Sequence, residues 1–232
     1  MLLSACIFDL RYRKVAAIIK RVACERLSYH GMNELRDLAK LAMKNEKRKI
    51  GGAIVEAGCG LGGSAITLAA AKNKDRLLVV YDVFGLHPPP SEKDDFDSHQ
   101  RYELIRSGKS PGIGDNLYYG YEKNLYAKVL QLFADFGFEV TENNVSLVRG
   151  YYEDTLKINS PVALAHIDCD WYDSVLVCLN RIEPHLVKGG VLVVGTYWRG
   201  SRDAVRDYFE KKNKRHYRFV YRRHLFIFKK SG

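Results

Sequence analysis

Four glycines in six positions, Gly58, Gly60, Gly62 and Gly63, stand between an apolar run and an alanine-rich segment in Ile50–Lys72 (IGGAIVEAGCGLGGSAITLAAAK). Ala53–Val55 reads as a buried strand, the glycines as a tight turn, and Ser64 as the start of a helix. Glycines there permit positive φ and close backbone approach, and the helix N-terminus adds partial positive charge. The product is a cradle for a cofactor. The spacing Gly58-x-Gly60-x-x-Gly63 also fits the dinucleotide fingerprint, so the loop by itself names two cofactor classes. Glu56, two residues before the first glycine, favours S-adenosylmethionine. A carboxylate there attracts an ammonium or sulfonium group and repels a pyrophosphate.

Strands and helices alternate beyond this point. Arg76–Asp82 (RLLVVYD) is a buried strand of parallel type whose terminal acid, Asp82, stands where α/β nucleotide folds hold ribose hydroxyls. Val145–Arg149 is a third strand, and Gly150-Tyr151 after it offers an aromatic ring for stacking on a purine or for core packing. Pro161–Asp170 (PVALAHIDCD) is a fourth. Alternation puts Val162, Leu164, His166 and Asp168 on one side of it. Asp168 and Asp170 then share the carboxyl end, where open α/β sheets bind ligands, and two acids there suggest metal binding or proton abstraction. His166, one step deeper, reads as a satisfied core histidine or a second catalytic candidate. Val191–Gly195 is a fifth strand. Tyr217–Tyr221 and Leu225–Lys230 form a closing hairpin, which makes at least one edge antiparallel. Helices are expected over residues 9–27, with Leu10, Val15, Ile18, Ile19, Val22 and Leu27 on one face, and over 32–45, 121–136, 171–186 and 197–212.

The expected fold is α/β: a Rossmann-like, mostly parallel sheet with a C-terminal antiparallel hairpin and helices on both faces. An N-terminal helical cap (1–48) precedes a cofactor-binding unit (49–232), the two forming one compact body. Residues 84–121, with Pro88–Pro90 and little apolar periodicity, read as a lid or substrate loop over the cofactor mouth; His87 and His99 lie in it.

A chain of 232 residues, 47% hydrophobic, buries one substantial core. No apolar run reaches the length of a bilayer span, and Met1–Phe8 lacks the basic n-region of a signal peptide. Five scattered cysteines without a CxxC point to free thiols and a cytoplasmic setting. The net charge of +10 concentrates in Arg11–Arg26, Lys44–Lys49 and Arg199–Arg223. It reads as solvated helix faces or as a surface for a phosphorylated or otherwise anionic partner.

The motifs SYHGMNELRDLA, VEAGCGLGGS, YDVFGLHPPP, VRGYYEDTL, HIDCDWYDSVLVCL and EPHLVKGGVLVV, followed by RDAVRDYF, resemble the macrocin and novobiocin-type sugar O-methyltransferases over roughly Ser28 to Tyr208. The resemblance implies that Glu56, Gly58, Gly60, Gly62, Gly63 and Ser64 hold the amino-acid part of S-adenosylmethionine and that Asp82 holds its ribose. It implies Asp168 as catalytic base and divalent-metal ligand. Two consecutive aspartates after the fifth strand complete the Mg²⁺ site of the family, and this chain has Gly195 and Thr196 there. A sugar hydroxyl has a very high pKa, so its attack on a sulfonium methyl needs a base, an acidifying metal, or both. The reading is therefore an O-methyltransferase with little or no need of Mg²⁺, acting on a sugar-like hydroxyl compound, anionic or not, with His87 and Tyr197 on the substrate side. A homodimer is compatible with it. The alternatives are a nucleic-acid methyltransferase or RNA-binding protein, for which the chain lacks a [DN]PPY or Pro-Cys motif; an NAD-dependent oxidoreductase; and a catalytically silent partner subunit.

Overall fold

The computed structural model describes residues 2–230, with side chains from residue 11 onward; the expectations for Met1 and for the Leu10 side chain lie outside the described residues. The element order is α1 (Leu2–Cys24), α2 (Met32–Lys47), β1 (Ala53–Ala57), α3 (Gly63–Ala71), β2 (Leu78–Asp82), α4 (Phe96–Arg106), α5 (Leu125–Asp135), β3 (Val145–Arg149), α6 (Tyr152–Thr155), β4 (Val162–Ile167), α7 (Tyr172–Ile182), β5 (Leu186–Val194), α8 (Arg199–Glu210), β6 (Tyr217–Tyr221) and β7 (Leu225–Lys229). The seven strands form one sheet in the order β3-β2-β1-β4-β5-β7-β6. β1 to β5 run parallel, and β7 pairs antiparallel with both β5 and β6. The strand order reverses between β1 and β4. Their carboxyl ends therefore frame the crevice where such sheets bind ligands.

Each face of the sheet has its own core. On one face Ile54, Val80, Leu164 and Val193 pack under α1, α2, α3 and α5 through Val22, Leu38, Ile66 and Phe133. On the other, Val55, Tyr81, Ile167 and Leu192 meet α7 and α8 through Val175, Leu179, Val205 and Phe209. The two N-terminal helices thus share a core with the sheet instead of standing off as a separate layer. In β4 the alternation holds from Leu164 onward. Val162 joins the opposite core because the pairing with both β1 and β5 shifts between Val162 and Leu164.

Residues 84–121 contain a helix that apolar periodicity does not announce. Only Ser98 and Ile105 of α4 are buried. Its start is fixed by Asp95, whose carboxylate accepts hydrogen bonds from the backbone N–H of Ser98 at 3.0 Å and from its hydroxyl at 2.7 Å. The segment is tied down over the N-terminus of α7: Asp94 accepts from the Tyr172 N–H at 2.9 Å, and the Trp171 indole donates to the Pro88 carbonyl at 3.0 Å. A Cβ on Gly200 would stand 1.8 Å from the Asp94 carboxylate, so the start of α8 is bare where the lid anchors.

Beyond the cleft, Glu183 gathers the C-terminal elements. Its carboxylate accepts from the Tyr208 hydroxyl at 2.9 Å and from the Tyr217 hydroxyl, and pairs with Lys212 at 3.0 Å and Lys229 at 3.4 Å. Burial opposes its charge, but the tyrosine and lysine donors outweigh it and hold its pKa down at about 2.

Candidate active site

A cleft of about 990 Å³ opens at the carboxyl ends of β1, β2, β4 and β5. Its first lip is the glycine loop. Asp82 is almost fully buried there, and its two oxygens are divided between two turns. Oδ2 accepts from the N–H groups of Cys59 and Gly60 at 2.8 and 3.1 Å, and Oδ1 from that of Phe84 at 2.7 Å. The acid at the end of β2 therefore shapes the loop after β1. Gly58, at φ 90°, passes so close to β4 that a Cβ would lie 2.3 Å from the Asp168 carbonyl oxygen. Gly63 is bare for a related reason: a Cβ would meet the Leu27 carbonyl oxygen at 2.5 Å. A Cβ on Gly60, by contrast, would make only ordinary van der Waals contact with the Tyr119 ring, at 3.7 Å.

Of the residues expected at the cofactor, Gly58, Gly60, Ser64, Asp82, Gly150 and Tyr151 line the cleft. Gly62 and Gly63 stand behind the wall and set the helix entry, with Gly62 left-handed at the cap of α3. Glu56 also lies behind it. Instead of facing a ligand, it is fully enclosed in β1, and its Oε1 accepts from His166 Nδ1 on the neighbouring strand at 2.7 Å. Glu56 Oε2 and His166 Nε2 are both buried without a hydrogen-bond partner.

The second lip is made by the ends of β4 and β5, the turn between α1 and α2, and the β6–β7 hairpin turn. Asp168, Asp170, Gly195, Thr196 and Tyr197 line it, as do His30, Arg222, Arg223 and His224. His30 Nε2 pairs with Asp168 Oδ2 at 3.2 Å. Its ring lies 5.1 Å from that of His166 and 4.8 Å from that of His224, tilted or edge-on in each case. Burial works against charge on His30, but the carboxylates, Asp168 foremost, raise its pKa to about 9. Asp168 is the mirror case: burial favours its protonated form, and the imidazoles, led by His30, hold it well below the usual carboxylate range. His224, deprived of solvent and facing the other two imidazoles, is lowered to about 4. Asp170 has left-handed backbone at φ 64° and stands apart from the histidines; burial and the charge of Asp168 push its pKa up to about 7. The two acids foreseen at the end of β4 are thus held in opposite electrostatic states.

At the positions where the resemblance calls for two aspartates, a Cβ on Gly195 would lie 2.1 Å from Asp168 Oδ1. Thr196 is buried, its hydroxyl 3.4 Å from that of Tyr221. An oxygen shell for Mg²⁺ is poorly supplied here: Asp168 is already paired to His30, Glu34 is engaged by the Gly31 N–H at the start of α2, and Gly195 and Thr196 bring no carboxylate.

The lid closes the remaining side. His87 Nε2 is shared between the hydroxyls of Tyr118, at 2.7 Å, and Tyr119, and burial lowers its pKa. That makes it a brace for the lid tyrosines. Tyr197 is 83% exposed at the mouth, beside Trp198. His30 and His224, which no sequence pattern marks, belong to the site as well. Neither lies on a patterned element, and each reaches the site from a turn far from Asp168 in the chain. Arg101, Arg202, Arg222 and Arg223 also line the cleft, the last three as solvent-exposed side chains, together with Glu34 and Glu153.

A model of one protein family, macrocin-O-methyltransferase (TylF), matches residues 4–217. The chain belongs to that family. No curated protein matches it by sequence. Among solved structures, the O-methyltransferase NovP is similar over 99% of this chain and 100% of its own, with a TM-score of 0.72 and 20% identity. The calicheamicin methyltransferase CalS11 is similar over 95% of this chain and 91% of its own, with a TM-score of 0.62 and 18% identity. An rRNA methylase from Streptococcus thermophilus, at a TM-score of 0.54 and 16% identity over 86% of this chain and 96% of its own, shares the fold as well. Such likenesses establish the Rossmann-like methyltransferase fold; the family model establishes the membership.

Proposed function

We propose that this chain transfers a methyl group from S-adenosylmethionine to a hydroxyl of a small, sugar-like acceptor that carries an anionic group. One observation bears most of the weight: a glycine-loop lip shaped by Asp82 faces, across one cleft, a second lip that presents Asp168 held by His30. When bound, S-adenosylmethionine supplies a methyl group on a positively charged sulfur. Gly58, Gly60 and Ser64 offer backbone to its amino-acid end, and Asp82 with Gly150 and Tyr151 flank the place for its ribose and adenine. Glu56 acts from behind the wall, through His166. Asp168 receives the acceptor hydroxyl and takes up its proton. Because His30 holds that carboxylate below its ordinary range, Asp168 is a weak base at rest, and in-line placement of the hydroxyl contributes more to the rate than proton removal. The lid tyrosines, braced by His87, exclude water.

The anionic preference rests on the four arginines that line the cleft, three of them exposed where an acceptor would enter, and on the open aromatic mouth at Tyr197 and Trp198. Family membership lends no support to the dinucleotide, nucleic-acid or silent-subunit readings. The test is a panel of sugar nucleotides, sugar phosphates and uncharged glycosides, with the methylated product followed by mass spectrometry. Methylation of the charged members, with KM raised about tenfold or more in Arg222→Ala or Arg223→Ala and kcat little changed, is the expected result; about 1.4 kcal/mol of lost binding corresponds to that factor. Equal rates on charged and uncharged sugars would remove the anionic preference. Transfer to no hydroxyl acceptor would remove the function.

A further inference from the structure

We propose that His30, His166, Asp168 and His224 form a binding site for one divalent transition-metal ion of the zinc class, in place of a carboxylate site for Mg²⁺. One ligand atom from each of the four residues lies within 4.8 Å of every other. Four ligands bonded to an ion at about 2.1 Å in a tetrahedron stand about 3.4 Å apart. The His30–Asp168 pair, at 3.2 Å, already has that spacing, and the widest pair has to close by little more than an ångström. His30 and His224 are carried on turns outside the regular elements, where such a closure displaces no helix or strand.

Two further observations point to a ligand. His166 is fully buried and hydrogen-bonded only through Nδ1, to Glu56, which leaves Nε2 enclosed without a partner. A buried ring nitrogen without a partner is costly unless something fills its lone pair. A carboxylate that accepts a hydrogen bond from Nδ1–H is also the arrangement that fixes a histidine for metal binding through Nε2. Glu56, with its second oxygen unpartnered in the core, adds an acid whose burial a nearby cation would offset. Three imidazoles and one carboxylate suit zinc, cobalt, nickel or iron(II), whereas Mg²⁺ takes oxygen ligands and keeps its waters. Gly195 has a reason in this arrangement, since a side chain there would strike the Asp168 oxygen.

His30 and His224 line the cleft and His166 closes the set from inside the sheet, so one side of the ion faces the space assigned to the acceptor hydroxyl. An ion there would lower the pKa of that hydroxyl if it took the oxygen as a fifth ligand, the expansion that zinc sites allow. This deepens the proposed function through Asp168, which belongs to both readings, yet the site is testable without cofactor or acceptor.

The protein is stripped with a chelator and titrated with Co²⁺ while its visible absorption is followed, then with Zn²⁺ and Mg²⁺ as competitors. The expected result is saturation at one equivalent, displacement by Zn²⁺ and none by Mg²⁺. His30→Ala and His224→Ala should each weaken Co²⁺ binding at least a hundredfold, and Glu56→Gln, which leaves the four ligands in place, about 10- to 100-fold. Thermal melting of the stripped variants shows that they are folded; His224 lies in a hairpin turn, so its replacement leaves the β6–β7 ladder intact. No saturable Co²⁺ binding by the wild type, unchanged binding in either histidine variant, or displacement by Mg²⁺ would overturn the proposal. S-adenosylmethionine affinity measured on the stripped protein separates a failure of this site from a failure of the methyl-transfer reading.

Discussion

The β1–β2 lip of the cleft satisfies its acid with backbone N–H groups, and the β4–β5 lip satisfies its acid with side chains drawn from distant turns. Asp82 takes three N–H bonds from residues of two adjacent loops. Such bonding fixes the backbone shape of the loop after β1 from the neighbouring strand. Asp168 is instead set by His30, His166 and His224, which α1–α2, β4 and the β6–β7 hairpin bring together only in the finished fold. The first lip is built to hold a ligand in shape, the second to set the charge of one carboxylate. The proposed function puts binding and chemistry on opposite sides of one cleft, and substitutions should separate them.

The largest expected effect is on the second lip. Asp168→Asn should lower kcat by about 10²- to 10⁴-fold, the usual worth of a positioned acid–base group, with S-adenosylmethionine affinity within about twofold of wild type. Turnover near wild type in initial-rate assays would break the assignment. On the first lip, Asp82→Ala leaves buried N–H donors of Cys59, Gly60 and Phe84 without an acceptor. It should cost about 3 kcal/mol in denaturant unfolding and weaken cofactor binding as the loop relaxes. A variant as stable as wild type that still loses cofactor would mean that Asp82 meets the ligand and does not shape the loop. Gly58→Ala touches both lips, because its Cβ would press on the Asp168 carbonyl from a left-handed backbone; about 2 kcal/mol of destabilisation is expected, with loss of both binding and turnover.

The smallest effect lies outside the cleft and serves as a control. Glu183 has a depressed pKa of about 2 in the folded chain against 4.5 for an unperturbed carboxyl. Its contribution to stability is therefore complete above pH 4.5 and lost as the pH falls toward 2. Melting temperature against pH should fall over that window in the wild type and more shallowly in Glu183→Gln, with turnover at neutral pH little changed. Parallel curves would show that the tyrosine and lysine network around Glu183 does not carry this dependence.

The same contrast explains what the sequence disclosed. Parallel strands are short apolar runs, so β3 is legible to the residue, while β2 starts at Leu78 and not Arg76, and β4 ends at Ile167 and not Asp170. β5 starts at Leu186, well before the apolar run at Val191; the glycine loop announces the turn after β1. The loop's acid was harder to place. Glu56 has the residue type of a cofactor contact, yet strand pairing sets it beside His166, and only the three-dimensional register shows that. α4 was illegible because it buries too few apolar residues to leave a periodic trace. His30 and His224 left no signal for a different reason: a site assembled from two turns and a strand end has no spacing in the chain. Asp168 was found because it ends a strand, and its partners were missed because they do not.

Calorimetric titration of S-adenosylmethionine and of NAD into the same preparation tests the central claim most directly, because the whole assignment depends on what the glycine-loop lip holds. The account predicts saturable one-to-one binding of S-adenosylmethionine and none of NAD, a preference that Asp168→Asn leaves intact. Binding of NAD in its place, with no heat from S-adenosylmethionine, would contradict it.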